Sequence, residues 1–400
     1  MNIQPSLPAS ANTQSPSTRP AAMVFVWDRD SEGVIRQSMS DLGVSDVEFI
    51  TGGIAAAVTA LGQRASPRLL VADISGIEDP KVQVDRLAEV CEPGVGVVVI
   101  GQNNDIRLYR DLIAAGIVEY FFKPLVGNLL KRTFNNVLTG GSEQRGSRTG
   151  KLVFVLGTRG GDGATTIATN TAWHLAEIGQ RRVLLLDLDL QFGDTALQLD
   201  TTTSHALREA LEHPERADEL FLQRGVTQVT ERLGLLAAQE PLTEGVPLND
   251  EAVLLLLGNL LHRYRYVFVD VPTAFAPQLM RTLALPSVLF LVSTGSLAAA
   301  RDVGRWRQQI GPNTAERLTL HVLNKSGAHG SLPFPEFVRA AGQAPDIVIP
   351  YDREIGLASK LGISAVRKCA GLRRSLAPLF RHLTGEPVEQ PHSLLKRLFQ

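Results

Sequence analysis

The segment Gly157-Thr158-Arg159-Gly160-Gly161-Asp162-Gly163-Ala164-Thr165-Thr166 joins an apolar run, Leu152 to Leu156, to a helical pattern that continues through Ile167, Ala168 and Leu175. A glycine-rich turn between a buried strand and a helix can wrap its backbone around an anion, with its N–H groups and the helix N-terminus supplying positive potential. The chemistry to expect is phosphate binding. A plain β–α turn would give the same local pattern, so the loop alone does not decide. Three further segments weigh against that plain turn. Val183-Leu184-Leu185-Leu186-Asp187-Leu188-Asp189 reads as a buried strand ending in two carboxylates, and Tyr266-Val267-Phe268-Val269-Asp270 as another ending in one. Acids at strand C-termini sit where α/β sheets bind ligands, and there they can hold magnesium or an attacking water. The third segment, Val322-Leu323-Asn324-Lys325, is a strand delivering an amide that can pair with a base edge.

The elements that must position these residues fall into two series. At 400 residues the chain exceeds what one hydrophobic core usually serves, so two domains are expected. Between Met23 and Leu138, the runs Met23 to Trp27, Leu69 to Ala72, Val95 to Ile100 and Val118 to Phe122 read as buried parallel strands alternating with helices. A Gly/Ser-rich linker spans 139–150. The second series has strands at Leu152 to Leu156, Val183 to Leu186, Leu233 to Ala237, Tyr266 to Val269, Ser287 to Val292 and Leu318 to Leu323, with helices at Thr165 to Ile178 and Ala252 to Tyr264. The fold class expected is α/β, with two doubly wound parallel-sheet domains at 23–138 and 151–385. A Ser/Pro-rich leader (1–22) precedes them and a tail (386–400) follows; the leader has no continuous apolar core and reads as disordered.

Composition narrows the function classes. The 40 basic and 41 acidic residues cancel to a net charge of −1, which leaves no general electrostatic case for a nucleic-acid partner, and none is expected. The two cysteines, Cys91 and Cys369, are too few for a zinc site or disulfide framework and suit a reducing compartment. No apolar run approaches the roughly 20 residues of a membrane span, so a soluble or peripheral protein is expected.

In this order, the loop, the two acid-ended strands and the Asn-bearing strand resemble the deviant-Walker ATPases of the MinD/ParA family, over about residues 151 to 370. The resemblance implies a P-loop NTPase domain that binds ATP with Mg2+. It gives Gly160, Gly161 and Gly163 the phosphate cradle, with Arg159, Asp162, Ala164 and Thr166 in the same loop, and gives Thr165 the magnesium-binding hydroxyl. It further implies that Asp187 and Asp270 support the metal shell, that Asp189 is the catalytic, water-orienting carboxylate and that Asn324 reads adenine. The chain also departs from the pattern. Arg159 replaces the signature lysine, Thr158 replaces the first Walker glycine, and Ala164 stands where the family has the lysine on the β- and γ-phosphates. Binding without that lysine is conceivable, whereas phosphoryl transfer loses a stabilising charge.

The front domain resembles a response-regulator receiver, a flavodoxin-like fold, with Asp28 ending the first strand, Asp73 the third and Lys123-Pro124 following the fifth. Arg29 stands where a receiver has a second acid for magnesium, with Asp30 one position further on, and Gly101 takes the place of the switch Ser or Thr. A pseudo-receiver used for protein contacts is therefore expected. A receiver-like domain ahead of such an ATPase domain, with Leu186-Asp187-Leu188-Asp189-Leu190-Gln191-Phe192-Gly193-Asp194 after the second strand, resembles the TadZ/CpaE proteins. That likeness implies an ATP-binding localisation and scaffold factor for type IVc (Flp/Tad) pilus assembly. It would be a homodimer, cytoplasmic and peripheral at the inner membrane, with a polar location left open. Its implied partners are the secretion ATPase and the inner-membrane platform. The alternatives are an active MinD-like membrane-cycling ATPase and a phosphorylation-controlled response regulator. In the tail, Leu394, Leu395, Leu398 and Phe399 share a helical face beside Lys396 and Arg397, similar to the membrane-targeting helix of MinD. A short helix docked on its own domain is the other reading of that tail.

Overall fold

The computed structural model describes residues 20–139, 150–245, 248–355 and 370–384. The leader up to residue 19, the linker from 140 to 149 and the tail from 385 onward, with its Leu394, Leu395, Lys396, Arg397, Leu398 and Phe399 segment, lie outside them.

The chain forms two compact units. The first is built on a five-stranded, all-parallel sheet: β1 (Ala22–Val26), β2 (Val47–Thr51), β3 (Leu69–Asp73), β4 (Gly96–Gly101) and β5 (Glu119–Phe122), in the order β2-β1-β3-β4-β5. Strands β1 and β3 are buried at every residue, because a parallel sheet covered on both faces leaves no side for polar groups. Strand β2 was not anticipated from the sequence; as an edge strand it interleaves Glu48 with half-buried residues, so it has no unbroken apolar run. Helix α1 (Arg29–Asp41) starts where the Asp28 carboxylate accepts the Ser31 N–H at 2.7 Å, and the acids Asp30 and Glu32 in its first turn suit the positive helix end. It packs beside α5 (Gly127–Thr139). Helices α2 (Ile54–Gln63), α3 (Pro80–Val90) and α4 (Ile106–Ala114) complete the alternation along the chain.

The second unit carries an eight-stranded sheet: β6 (Lys151–Gly157), β7 (Val183–Asp187), β8 (Thr227–Gln228), β9 (Leu233–Leu236), β10 (Tyr266–Val271), β11 (Ser287–Ser293), β12 (Arg317–Ser326) and β13 (Ile347–Pro350). Their order is β13-β12-β11-β6-β10-β7-β9-β8, parallel throughout except for the short antiparallel edge β8. Both β8 and β13 escaped the sequence reading. One has two residues, and the other alternates buried with exposed residues at the opposite edge. The side-chain alternation of β6 builds two cores. Leu152, Phe154 and Leu156 enter one, capped by α8 (Ala206–Glu212), α10 (Asp250–Leu261) and α12 (Leu297–Ile310). Val153 and Val155 enter the other, covered by α6 (Ala164–Glu177) and by Leu372, Leu376, Leu379 and Leu383 of α14 (Ala370–Thr384). Three more short helices, α7 (Thr195–Gln198), α9 (Glu219–Gly225) and α11 (Met280–Leu283), and α13 (Phe334–Ala341) lie in the connections.

Strand β6 sits at the middle of the sheet, with β10 on one side and β11 on the other. The chain leaves it in one direction towards β7 and returns on the far side at β11. A ligand crevice is expected at such a switch point, outside the strand C-termini.

Candidate nucleotide-binding site

The loop between β6 and α6 lies at that switch point. Gly161 and Gly163 adopt φ of +86° and +91°, a left-handed conformation that a side chain disfavours, and a Cβ on Gly163 would overlap the Asn324 amide nitrogen. Gly163 is also the N-cap of α6 and offers no side chain to its first turn, so no capping oxygen competes for the helix's leading N–H groups. A cavity of about 570 Å³ opens over the loop. Its lining includes residues 159–166, Asp189 and Asp270, so most of the site residues expected from sequence converge on one space. Asp187 and Asn324 do not line it.

Both of those side chains are occupied in building the site. Strands β7 and β10 pair Asp187 opposite Asp270, which sets two carboxylates side by side at adjoining strand ends. Asp187 accepts the Asp189 N–H at 3.0 Å and the Thr195 hydroxyl at 2.7 Å. The backbone of Gly193 lies so close that a Cβ there would sit 2.5 Å from the Asp187 carboxylate. Asp189 in turn accepts the Phe192 N–H at 2.9 Å, and Asp194 accepts the Gln198 amide. The Asp187-to-Asp194 motif is thus a self-bonded turn that presents Asp189 to the cavity. Burial, with the neighbouring acids, pushes the Asp187 carboxyl up to about 6, and burial together with Asp187 raises Asp270 well above its ordinary value. Thr165, at the start of α6, hydrogen-bonds Asp270 and opposes that rise.

Asn324 donates to the Asp162 carbonyl at 2.9 Å and accepts the Lys325 N–H at 2.9 Å, so its amide clamps the loop from behind. Asp162 is buried and also faces inward. It accepts the Thr158 hydroxyl (2.6 Å), the Arg159 N–H (2.8 Å) and the Thr294 hydroxyl beyond β11 (2.9 Å). Thr158, at the altered first Walker position, therefore has a structural partner. Arg159 bonds Asp302 of α12 at 2.7 Å, and Arg301 and Arg305 bond the other oxygen of the same carboxylate. Burial opposes ionisation of Asp302, but the three guanidinium bonds hold its carboxyl below the usual range. The charge of Arg159 is thereby countered within the chain.

In the first unit, Lys123 bridges Asp28 and Asp73, at 2.6 Å from the latter. Asp73 is fully buried; its other oxygen accepts the Ser75 N–H (2.9 Å) and hydroxyl (2.6 Å). Burial opposes the Lys123 charge, yet its hydrogen bonds to both acids raise its pKa. Burial likewise opposes Asp28, whose bonds from Lys123 and Ser31 hold it below the ordinary value. Arg29 and Asp30 are exposed at the start of α1. At Gly101 a Cβ would lie 2.8 Å from the Tyr120 hydroxyl, which donates to the Asn103 carbonyl, so a Ser or Thr there has no room.

Thr195, Thr294, Asp302, Ser75 and Tyr120 were missed from sequence. Thr195 and Ser75 lie within eight residues of the acids they serve, and an Asp followed closely by Ser or Thr is a usable local signal. Asp302 and Thr294 carry none, being 143 and 132 residues from their partners.

Comparison with known proteins places this geometry. Residues 151–309 match the family described as "Cellulose biosynthesis protein BcsQ". Over 157 residues the chain is 26% identical to a putative septum site-determining protein MinD of Guillardia theta, covering 39% of this chain and 56% of that protein. It is 25% identical over 159 residues to the septum site-determining protein MinD of Synechocystis sp., covering 39% and 57%. The chain thus spans little more than half the length of these curated relatives. The crystal structure of a ParA family ATPase from Chlorobium tepidum is similar, with a TM-score of 0.51 and 21% identity over 58% of this chain and 99% of that one. A pilus assembly protein CpaE from Caulobacter crescentus is 33% identical over 29% of this chain and 91% of its own, with a TM-score of 0.27. The second unit has the MinD/ParA-type P-loop fold.

Proposed function

We propose that this chain binds ATP with magnesium in its second domain and serves as a localisation and scaffold factor for type IVc (Flp/Tad) pilus assembly, turning the nucleotide over slowly or not at all. One observation carries the reading: a glycine-rich loop between β6 and α6, held from behind by Asp162 and Asn324, has Ala164 where the MinD/ParA pattern has its phosphate lysine. The loop N–H groups of residues 160–166 would hold the phosphates. Thr165 and Asp270 would hold magnesium, with Asp187 beside them; a bound cation would offset the burial and the mutual repulsion that raise both carboxyls. Magnesium supplies charge neutralisation at the phosphates when bound. Asp189, lining the cavity, would orient a water, but without a lysine opposite it the transferring phosphoryl group lacks its stabilising charge.

The working division is 1–22, 23–138, 139–150, 151–385 and 386–400. The family named for cellulose biosynthesis is matched only within 151–309, so the receiver-like front domain, with Lys123 closing its acidic site, is what favours the pilus reading. Homodimerisation, contacts with the secretion ATPase and the membrane platform, and a peripheral inner-membrane location belong to the same proposal. Calorimetry beside a phosphate-release assay tests its chemical core. Magnesium-dependent ATP binding is expected, with turnover at least about a hundredfold below that of a lysine-bearing relative. Turnover as fast as that relative's would overturn the scaffold reading, and the absence of ATP binding would mark the site as vestigial.

A further inference from the structure

We infer that Lys325 supplies the phosphate-directed charge that Ala164 lacks, reaching the loop from the end of β12 instead of from the start of α6. The inference rests on the ATP-binding reading above. Four observations carry it. Lys325 lines the same cavity as Ala164 and Thr165. Its ammonium donates to the Gly161 carbonyl at 2.7 Å, and its Cε lies 3.8 Å from where a Cβ of Gly163 would stand, so the side chain lies across the cradle itself. Its backbone adopts φ +55°, one of three left-handed non-glycine residues in the described chain, and the β12–β13 register breaks between Leu323 and Ser326. A break of this kind in a strand re-aims a side chain, and a left-handed lysine is a cost the fold carries at this one place. The Asn324 side chain accepts the Lys325 N–H and so fixes that conformation while its other end clamps the loop.

The charge is available to a ligand. Arg159, the other cation of the loop, is tied to Asp302, whereas the partner of Lys325 is a neutral carbonyl, and no carboxylate pairs with it among the described residues. An ammonium on a flexible stem exchanges a carbonyl for a phosphate oxygen at little cost, since the second bond is charge-assisted and the first is not. Reaching across the loop from the end of β12, Lys325 would meet the outer phosphates and contribute to triphosphate affinity.

The test uses the full chain and reads binding. ATP, ADP and AMP are titrated with magnesium into wild type, Lys325→Gln, Ala164→Lys and the double variant, with thermal midpoints as the folding control. Glutamine keeps a donor for the Gly161 carbonyl but removes the charge. The expected result is that K325Q weakens ATP by about 10- to 100-fold, weakens AMP by less than about threefold, and leaves the thermal midpoint near that of wild type. In the double variant a lysine returned at position 164 restores most of the lost ATP affinity. If K325Q binds ATP like wild type, or loses ATP and AMP equally, Lys325 is only a loop clasp and the inference fails while ATP binding stands. If wild type binds none of the three nucleotides, the ATP reading itself fails and takes this inference with it.

Discussion

A carboxylate in the middle of a loop proposed to bind phosphate would repel that ligand unless it faced elsewhere, and Asp162 does. Its oxygens gather Thr158, the Arg159 N–H and Thr294, so the loop is fastened to β11 before any anion arrives. Replacing Asp162 with Ala leaves three donors around a buried gap. The expected loss is about 3 kcal/mol of stability, read by urea denaturation, together with at least a tenfold loss of ATP affinity. The paired acids give a pH dependence. With its carboxyl near 6, Asp187 takes up a proton as pH falls from about 7 to 5, and Asp270 shifts the same way, so magnesium must then displace protons. Magnesium-dependent nucleotide affinity should therefore weaken through that window, and a pH-independent affinity in calorimetry would contradict the placement of the metal. In the front domain, the two oxygens of Asp73 are taken by Lys123 and Ser75. Incubation with acetyl phosphate and magnesium should leave the intact mass unchanged, and an adduct lost in Asp73→Asn would return the receiver to active service.

At the scale of elements, helix α6 has two demanding ends. At its start, Gly163→Ala would place a side chain at φ +91° and against Asn324, costing at least about 1–2 kcal/mol from the backbone alone and disturbing the cradle. Near its end, His174 stacks on Phe380 of α14 with ring centroids 3.6 Å apart. Burial, with Arg373, lowers its pKa to about 4, and burial does the same to His321, whose ring bonds the Ser293 hydroxyl between β11 and β12. Both imidazoles stay neutral in the fold while the unfolded chain protonates them near 6.5. Their contribution to stability is thus complete above about 6.5 and is lost as pH falls towards 4; the raised Asp187 works in the opposite sense between about 4 and 6. Denaturation midpoints at pH 7.5 and 5 should differ less in His174→Phe, which keeps the stacked ring and removes the titration. Much of this architecture was legible. Unbroken apolar runs mark the strands buried on both faces, and those of β6, β7, β10 and β12 end on residues that line or build the site. The edge strands β2, β8 and β13 were not legible, because half-exposed or two-residue strands leave no apolar run. Nor were the working directions of Asn324 and Lys325, adjacent in sequence: one turns behind the loop and the other across it, and only the left-handed backbone at Lys325 separates them.

At the scale of the whole molecule, a nucleotide that is bound but barely hydrolysed can still act if it changes assembly, and the tail offers a way for assembly to control location. If Leu394, Leu395, Leu398 and Phe399, with Lys396 and Arg397, form the short amphipathic helix that their spacing allows, it would bury little apolar area, and short helices are marginal in water. One copy on an anionic surface should hold weakly, with the two cations adding roughly 1 kcal/mol each near the headgroups. Two copies joined in a nucleotide-bound dimer raise each other's effective concentration at the surface, and avidity can exceed single-copy affinity by about 10²- to 10⁴-fold without any new contact. No helix among the described residues is long and apolar enough to cross a membrane. Co-sedimentation with phosphatidylglycerol-containing liposomes separates the steps. Full-length protein should sediment more with ATP and magnesium than without, Phe399→Glu should reduce sedimentation in both conditions, and a chain ending at Gln390 should stay in solution. Rising salt should release the protein progressively, because the cationic contribution is screened within about 10 Å at 0.1 M. If the truncated chain sediments as well as the intact one, the tail is not the anchor, and the targeting must come from protein partners bound elsewhere on the chain.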